Sequence, residues 1–405
     1  MTPLPKDFTE QTQAIFGDEL WNDFLRAMQE EPPVSIRLNP YRLSNLWTVI
    51  GGQPVPWCRH GYYLASRPQF TFDPLLHAGA YYVQEASSMF LDEVLRQMHD
   101  AYVNHQPSAI RPRTALDLCA APGGKSTLLR AALPGDCVLY SNEPMRNRAN
   151  ILAENIQKWG WPGCIVTNNY PVDYQKSKMR FDVILCDVPC SGEGMFRKDE
   201  ATIREWSPQN VEKCWRLQRE IVGAAWECLN DDGLFIYSTC TFNTKENEEN
   251  IQWLLENYEA EVLPIETQAA WHITGSLLEG FDEPVYRFIP GITQGEGLFM
   301  CVLRKKGGSD SGKPKPQLNI LYEYSEAQDL PHVALSYAQA IAYLRHEALI
   351  LPTDTPKGLV TVDFEGHPLG MVKNVGTRAN NLYPKEWKIK TTHIPTDYEP
   401  ILKRL

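Results

Sequence analysis

From residue 114 to residue 303 the chain alternates short apolar runs of strand length with longer stretches of helical period. Residues 114–118, 138–141, 165–167, 181–186 and 233–238 read as strands, and residues 124–133, 146–159, 208–229 and 245–255 as helices. Ser207 stands at an N-cap position, with Pro208 in the first turn that follows. Alternation of this kind means βαβ units, hence an α/β unit with a mostly parallel sheet covered by helices on both faces. Residues 286–289 and 298–303 close the region as an antiparallel hairpin. Ligands of open parallel sheets sit beyond the carboxyl ends of the strands, so chemistry is sought just past each strand.

Three segments occupy such places. The first, Leu116-Asp-Leu-Cys-Ala-Ala-Pro-Gly-Gly-Lys-Ser-Thr127, turns a strand into a helix. Small residues there let a ligand approach the backbone, and the helix N-terminus favours an anion. A P-loop is one reading of Gly-Lys-Ser, but it needs glycine where Cys119 stands. An S-adenosylmethionine site is another. It requires an acid closing the next strand to grip ribose hydroxyls, and Glu143 is in that place. A glycine turn without a ligand is the third. The second segment is Cys186-Asp-Val-Pro-Cys-Ser-Gly-Glu-Gly194 and the third Tyr237-Ser-Thr-Cys-Thr241. Asp187, Cys190 and Cys240 therefore face one crevice with the first segment.

Two cysteines at neighbouring strand tips, each beside polar residues, suggest thiol chemistry, whereas Cys137, Cys164, Cys214, Cys228 and Cys301 read as small core hydrophobes. Carbon 5 of cytosine is too poor a nucleophile to accept a methyl group directly. A thiolate adding to carbon 6 makes carbon 5 enamine-like, dividing one hard step into easier ones. A carboxyl group beside the ring can bond the base edge. A free thiol has a pKa of about 8.5, so the nucleophile needs help from its surroundings, and Lys125 is a candidate for that role.

The flanks differ from this core. Phe8, Ile15, Phe16, Leu20, Trp21, Phe24, Leu25 and Met28 recur at helical spacing, with Gly17 separating two helices and Pro32-Pro33 ending them. Residues 34–72 contain no Asp or Glu but carry Arg37, Arg42, Arg59 and Arg67 among seven aromatic rings. Guanidinium groups with flat rings suit phosphates and unstacked bases, although a core with a few surface arginines has the same composition. Residues 304–317 form a Gly-, Ser- and Lys-rich linker. Beyond it lies a small unit with a helix near 336–347 and strands at 358–364 and 369–373; its 373–390 stretch has five Lys+Arg against Glu386 alone. The formal net charge of −11 argues against nucleic acid only if the charge is evenly spread, and residues 241–300 alone hold eleven Asp+Glu against Lys245 and Arg287. Ten cysteines without a Cys-x-x-Cys pair exclude a disulfide scaffold and a zinc ribbon. No apolar run approaches the roughly 18 residues of a membrane span, and the first ten residues lack a leader pattern. These features read as a reduced, cytoplasmic, metal-free protein that avoids membranes.

Together the three motifs resemble the Sun-type RNA 5-methylcytosine methyltransferases, closest to the RsmF-like branch that acts on 16S ribosomal RNA. The resemblance covers nearly the whole chain. It implies a class I, Rossmann-like methyltransferase at 113–305, a flanking N-terminal RNA-binding region at 1–112, a basic linker at 306–317 and a C-terminal PUA-like RNA-binding module at 318–405. It makes Cys240 the nucleophile, Cys190 the aid to product release and Asp187 a contact to cytosine and cofactor. Cys119, Ala120, Ala121, Pro122, Gly123, Gly124 and Lys125 would wrap the methionine end of S-adenosylmethionine, and Glu143 its ribose. Arg148, in Asn-Arg-Ala-Asn, the stretch from Tyr82 to Ser87, and Arg378, in the stretch from Thr377 to Trp387, also match; with Arg37 these arginines are the expected RNA contacts.

Two departures stand out. Many members have an Asp after the third strand to take the adenine amino group; here the stretch is Thr167-Asn-Asn-Tyr170, and Asn169 could accept that bond through its amide oxygen. The tail is also shorter than in some relatives. The expected partner is therefore ribosomal RNA or a small-subunit particle. Transfer RNA, a non-catalytic RNA-binding assembly factor and a P-loop hydrolase remain as alternatives.

Overall fold

The computed structural model describes residues 2–43, 46–106, 109–307, 318–324, 329–391, 393–395 and 397–405. Apart from residues 306 and 307, the expected linker at 306–317 lies outside the described residues.

Five parallel strands form the centre, in the spatial order Leu229–Thr239, Phe181–Asp187, Thr114–Asp117, Val138–Asn142 and Cys164–Thr167. Residues alternate between the two faces, as strand geometry demands. Ala115, Val183, Leu185 and Ile236 pack with residues of helices Phe90–Val103, Gly124–Ala132 and Arg146–Trp159. Leu116, Ile184, Phe235 and Tyr237 pack on the other side with helices Pro208–Glu227 and Glu248–Asn257. Ser207 caps its helix by accepting from Asn210 N, as its position in the sequence implies. Leu298–Lys305 runs antiparallel beside Leu229–Thr239 and pairs on its far edge with Tyr286–Phe288 and Ala260–Val262. Strand order reverses at Thr114–Asp117, whose neighbours are the next strand in sequence and Phe181–Asp187. Such a switch point leaves a crevice at the carboxyl ends.

The N-terminal helix Lys6–Ala27 breaks at Gly17, which takes a left-handed φ of 71°. Its aromatic face lies against the loops past the central strands: Phe8 meets Phe196 at 4.9 Å and Phe24 meets Phe242 at 5.3 Å between ring centroids.

The flanking regions depart from two independent modules. Ile320–Glu323, expected in the C-terminal unit, pairs antiparallel with Cys164–Thr167 and extends the central sheet. The N-terminal sheet, made of Gln53–Pro54, Gly61–Leu64, Val34–Leu38 and Tyr81–Val83, also shares one hydrophobic core with the C-terminal unit. Ile36, Leu75 and Tyr81 pack in the same cluster as Ile341, Val360 and Val372, and strand Leu402–Arg404 pairs with Trp47–Val49. Each part alone has a few short strands, too small to bury an adequate core, and their union solves that problem. Among the described residues no helix is long and apolar enough to cross a membrane.

Candidate active site

Strand Thr114–Asp117 delivers the chain into the glycine turn. Gly123 adopts φ 117°, open to glycine and strained for other residues, and no side chain caps the helix Gly124–Ala132 that follows. Its first N–H groups are thus available to an anion. A Cβ on Gly124 would meet Tyr82 at 3.5 Å and Gln84 at 3.7 Å, so the turn is pressed against the N-terminal sheet.

Arg37 explains how that contact is held and corrects its expected RNA role. It is only 2% exposed. Its Nε donates to Gln84 Oε1 at 2.8 Å, and its Nη2 to Thr127 Oγ1 at 2.6 Å and Gly124 O at 3.3 Å. It also lies over the Trp159 ring, and burial pulls its pKa down to about 10. Both faces of this strand are covered, and Gln84, Thr127 and Trp159 close over the guanidinium beneath the turn, where it cannot meet a phosphate.

Glu143 sits just past strand Val138–Asn142, at the level of the turn, with Ala120 N donating to Asn142 O. It accepts from Met145 N at 2.9 Å, and Arg148 Nη1 lies 3.3 Å from its other oxygen. Arg148 Nη2 also donates to Ala121 O at 3.1 Å. This arginine, expected at RNA, bridges Glu143 and the glycine turn while keeping about half of its side chain exposed. The uncapped helix start, the glycine turn and the Glu143 carboxylate fit a ligand with a carboxylate at one end and paired hydroxyls further on. Asn169 follows strand Cys164–Thr167, where its Oδ1 accepts from Asn319 N at 3.0 Å and its Nδ2 donates to Asn319 O at 3.4 Å. The carboxamide is matched to main chain leading into strand Ile320–Glu323, an element that local sequence pattern did not reveal.

The two cysteine loops meet as anticipated. Ser238 pairs with Asp187 in the parallel register, so both strands end at one level. Cys190 Sγ lies 3.3 Å from Cys240 Sγ, and both residues are partly exposed. Asp187 accepts from Ser238 Oγ and from Lys125 Nζ, each at 2.8 Å. Burial works against the Lys125 charge, but Asp187 and, further, Cys240 outweigh it and hold the ammonium above its ordinary pKa. The hydrogen bond to Cys240, then burial, pushes the Cys190 thiol well up.

Behind the cysteines lies a polar network absent from the expected site. Glu246 accepts from Ser191 N at 3.0 Å and Gln218 Nε2 at 2.7 Å. Glu193 accepts from Phe242 N at 2.7 Å, Asn243 N at 3.0 Å and Trp206 Nε1 at 3.0 Å. Asn243 Nδ2 lies 2.9 Å from an oxygen of each carboxylate. Each acid of one loop thus holds main chain of the other. Burial and the Glu193 charge raise Glu246 to about 7. The signal in the sequence was slight: a Glu three residues after Cys190 and another six after Cys240, in a chain rich in acids. Arg287 steadies the second loop by donating to Phe242 O at 2.7 Å and pairing with Glu248. Arg378 is exposed ahead of strand Ala379–Asn381 in the C-terminal unit. No cluster of three metal-ligating side chains occurs among the described residues.

Comparison with known proteins gives concordant matches. The family model for 16S rRNA methyltransferase RsmB/F matches residues 108–304, that for the N-terminal domain of 16S rRNA methyltransferase RsmF residues 4–86, and that for the methyltransferase RsmF PUA domain residues 330–389. The ribosomal RNA small subunit methyltransferase F of Cronobacter sakazakii is 32% identical, over 95% of this chain and 96% of its own length. The protein of that name from Pectobacterium atrosepticum is 33% identical over 78% of this chain, and the match spans 66% of the relative, just under two thirds. Among solved structures, a methyltransferase homolog protein from Pyrococcus horikoshii superimposes with a TM-score of 0.61 at 26% identity, covering 74% of this chain and 95% of that one. NSun6 from the same organism, solved with SFG, gives 0.61 at 20% identity over 75% of this chain and 99% of that one, which speaks to the fold.

Proposed function

Since the chain belongs to the 16S rRNA methyltransferase RsmB/F family, we propose that it methylates carbon 5 of a cytosine in 16S ribosomal RNA, in the cytoplasm, through a transient bond between Cys240 and the base. The observation that carries this reading is the 3.3 Å approach of Cys190 and Cys240 beside the Lys125–Asp187 pair.

S-adenosylmethionine, when bound, supplies the electrophilic methyl group. The N–H groups at Gly124 and Lys125 would receive its carboxylate, and Glu143 its ribose hydroxyls. Residues 119–123 would line its methionine end. Arg148 would yield Glu143 to the ribose. The protein's own work is on the pyrimidine. Cys240 sulfur forms a bond to carbon 6, and the ring's electron pair moves to carbon 5, which takes the methyl group. Asp187, steadied by Lys125 and Ser238, bonds the base edge and keeps the ring in register with the sulfur. Carbon 5 then gives its proton to a water molecule, the C–H electron pair re-forms the ring double bond, and the S–C6 pair leaves with Cys240 as its thiolate. Cys190, 3.3 Å from Cys240, assists this release. Placing the nucleophile at 240 follows the resemblance to the RNA family, and the Lys125 ammonium, which feels Cys240, supports it.

Bisulfite sequencing of 16S rRNA from cells with and without the gene tests the reading. One cytosine should lose its mark on deletion and regain it when the purified protein acts on that RNA; an unchanged map refutes it. A non-catalytic RNA-binding assembly factor is a second reading, favoured by the stretch Thr167-Asn-Asn-Tyr170, which has no Asp after the third parallel strand. Calorimetry with S-adenosylmethionine separates the two, because only the first requires binding.

A further inference from the structure

A cavity of about 960 Å³ opens between the N-terminal sheet and the catalytic core, lined among others by Pro33, Ser66, Arg67, Gln84, Glu85 and Lys198. We propose that this trench seats the RNA segment flanking the target nucleotide, with Arg67 and Lys198 as its phosphate contacts. The inference rests on the reading above and assigns where the strand lies.

Two exposed cations on its walls suit a phosphate chain. Arg67 and Lys198 are exposed, and neither enters an ion pair with a described residue. The Arg67 guanidinium lies 5.5 Å over the Phe70 ring, which supports its plane and leaves its N–H edges open. Of the groups nearby, Glu85 keeps its charge but turns its oxygens on main-chain donors, and the third cation is paired. Glu85 accepts from Ser87 N, Ser88 N and Glu296 N. Arg197 is bound to Glu296, Ala27 O and Gly295 O. Glu31 alone stands exposed at the margin. Arg67 also belongs to the stretch 34–72 that contains no acid.

Both walls of the trench stand on segments that reach the catalytic loops. Lys198 N donates to Met195 O, closing the turn whose Gly194 N donates to Cys240 O at 2.8 Å. Gln84, on the opposite wall, presses on Gly124 of the glycine turn. A cytosine that reaches Cys240 must be unstacked and turned out of its strand, so its neighbours need a seat beside the site. The volume lies within the roughly 300–1,000 Å³ typical of ligand sites. The walls offer Ser66 for base edges and proline rings for base faces.

The test uses the full-length protein and unmodified 16S rRNA transcribed in vitro. The Arg67→Ala/Lys198→Ala variant should bind this RNA about tenfold more weakly, and the slope of log K against log salt should flatten by about 1.4, the value for two single-strand phosphates. KM for RNA should rise while kcat stays within about twofold, and S-adenosylmethionine affinity should not change. Ser66→Glu, an exposed substitution that adds a negative charge to the wall, should weaken binding in the same direction even if the double variant proves unstable. A photo-crosslinking residue at position 66 should label RNA. Wild-type RNA affinity and salt slope in a folded double variant, or RNA binding by Ser66→Glu that matches wild type, overturns the trench and leaves the methylation reading intact. A wild-type protein that neither binds nor methylates the transcript removes both.

Discussion

Glu246, on the loop of Cys240, accepts the backbone N–H of Ser191, next to Cys190, at 3.0 Å. This bond fastens one cysteine loop to the other, and the acceptor has its pKa raised to about 7 by burial and by the charge of Glu193. A carboxyl group raised in the folded state stabilises the protein fully below its unfolded pKa, and that contribution fades as pH rises through the folded value. The window is therefore about pH 4.5 to 7, and the size about 3 kcal/mol. Denaturant unfolding at pH 5 and pH 8 should show wild type losing more stability across the interval than Glu246→Gln, by roughly 2–3 kcal/mol. Equal losses would mean that Glu246 does not titrate there.

Lys125 joins the glycine turn to Asp187 at 2.8 Å and also feels Cys240. Lys125→Met removes the cation near the sulfur and frees Asp187 from its partner. Single-turnover methyl transfer should slow by on the order of 10²-fold or more, the usual loss for one positioned electrostatic group. A rate within a few-fold of wild type would remove Lys125 from the chemistry.

Arg37, buried beneath the glycine turn, is a structural tie. Arg37→Ala should cost roughly 3 kcal/mol in unfolding free energy, because the partners Gln84 and Thr127 lose their bonds and a void is left. RNA binding by the folded variant should keep the salt slope of wild type. A flatter slope would restore Arg37 as a phosphate contact.

Leu402 is 2% exposed and sits in the strand that pairs with Trp47–Val49. Leu402→Ala should destabilise the joint N- and C-terminal core by roughly 2–4 kcal/mol. Hydrogen exchange should show the loss of protection reaching strand Trp47–Val49. Protection lost only near the substitution would mean that the two flanks fold separately.

Local pattern carried the central sheet well. Strand and helix periods are properties of neighbouring residues, so the five parallel strands, the Ser207 cap and the break at Gly17 lay where their sequences put them. The cysteines at 190 and 240 were legible together because parallel strands of one sheet end at one level. Which way a polar side chain faces is a different kind of fact. Arg37 reads as a surface cation in a stretch free of acids and turns inward only because Gln84, Thr127 and Trp159 converge on it from distant segments. Asn169 is matched by Asn319, 150 residues away. The strand Ile320–Glu323 and the core shared by the two flanks follow from docking, which has no local period. Glu193 and Glu246 are buried by loops that meet only in the fold, which no local period marks.

The most direct test of the central claim is the chemistry of the trapped complex. Cys190→Ala, incubated with unmodified 16S rRNA and S-adenosylmethionine, should accumulate a covalent protein–RNA adduct on a denaturing gel. After nuclease and protease digestion, mass spectrometry should place the nucleotide on the peptide that contains Cys240, and Cys240→Ala should form no adduct. A nucleotide attached elsewhere, or an adduct that persists in Cys240→Ala, would contradict the account.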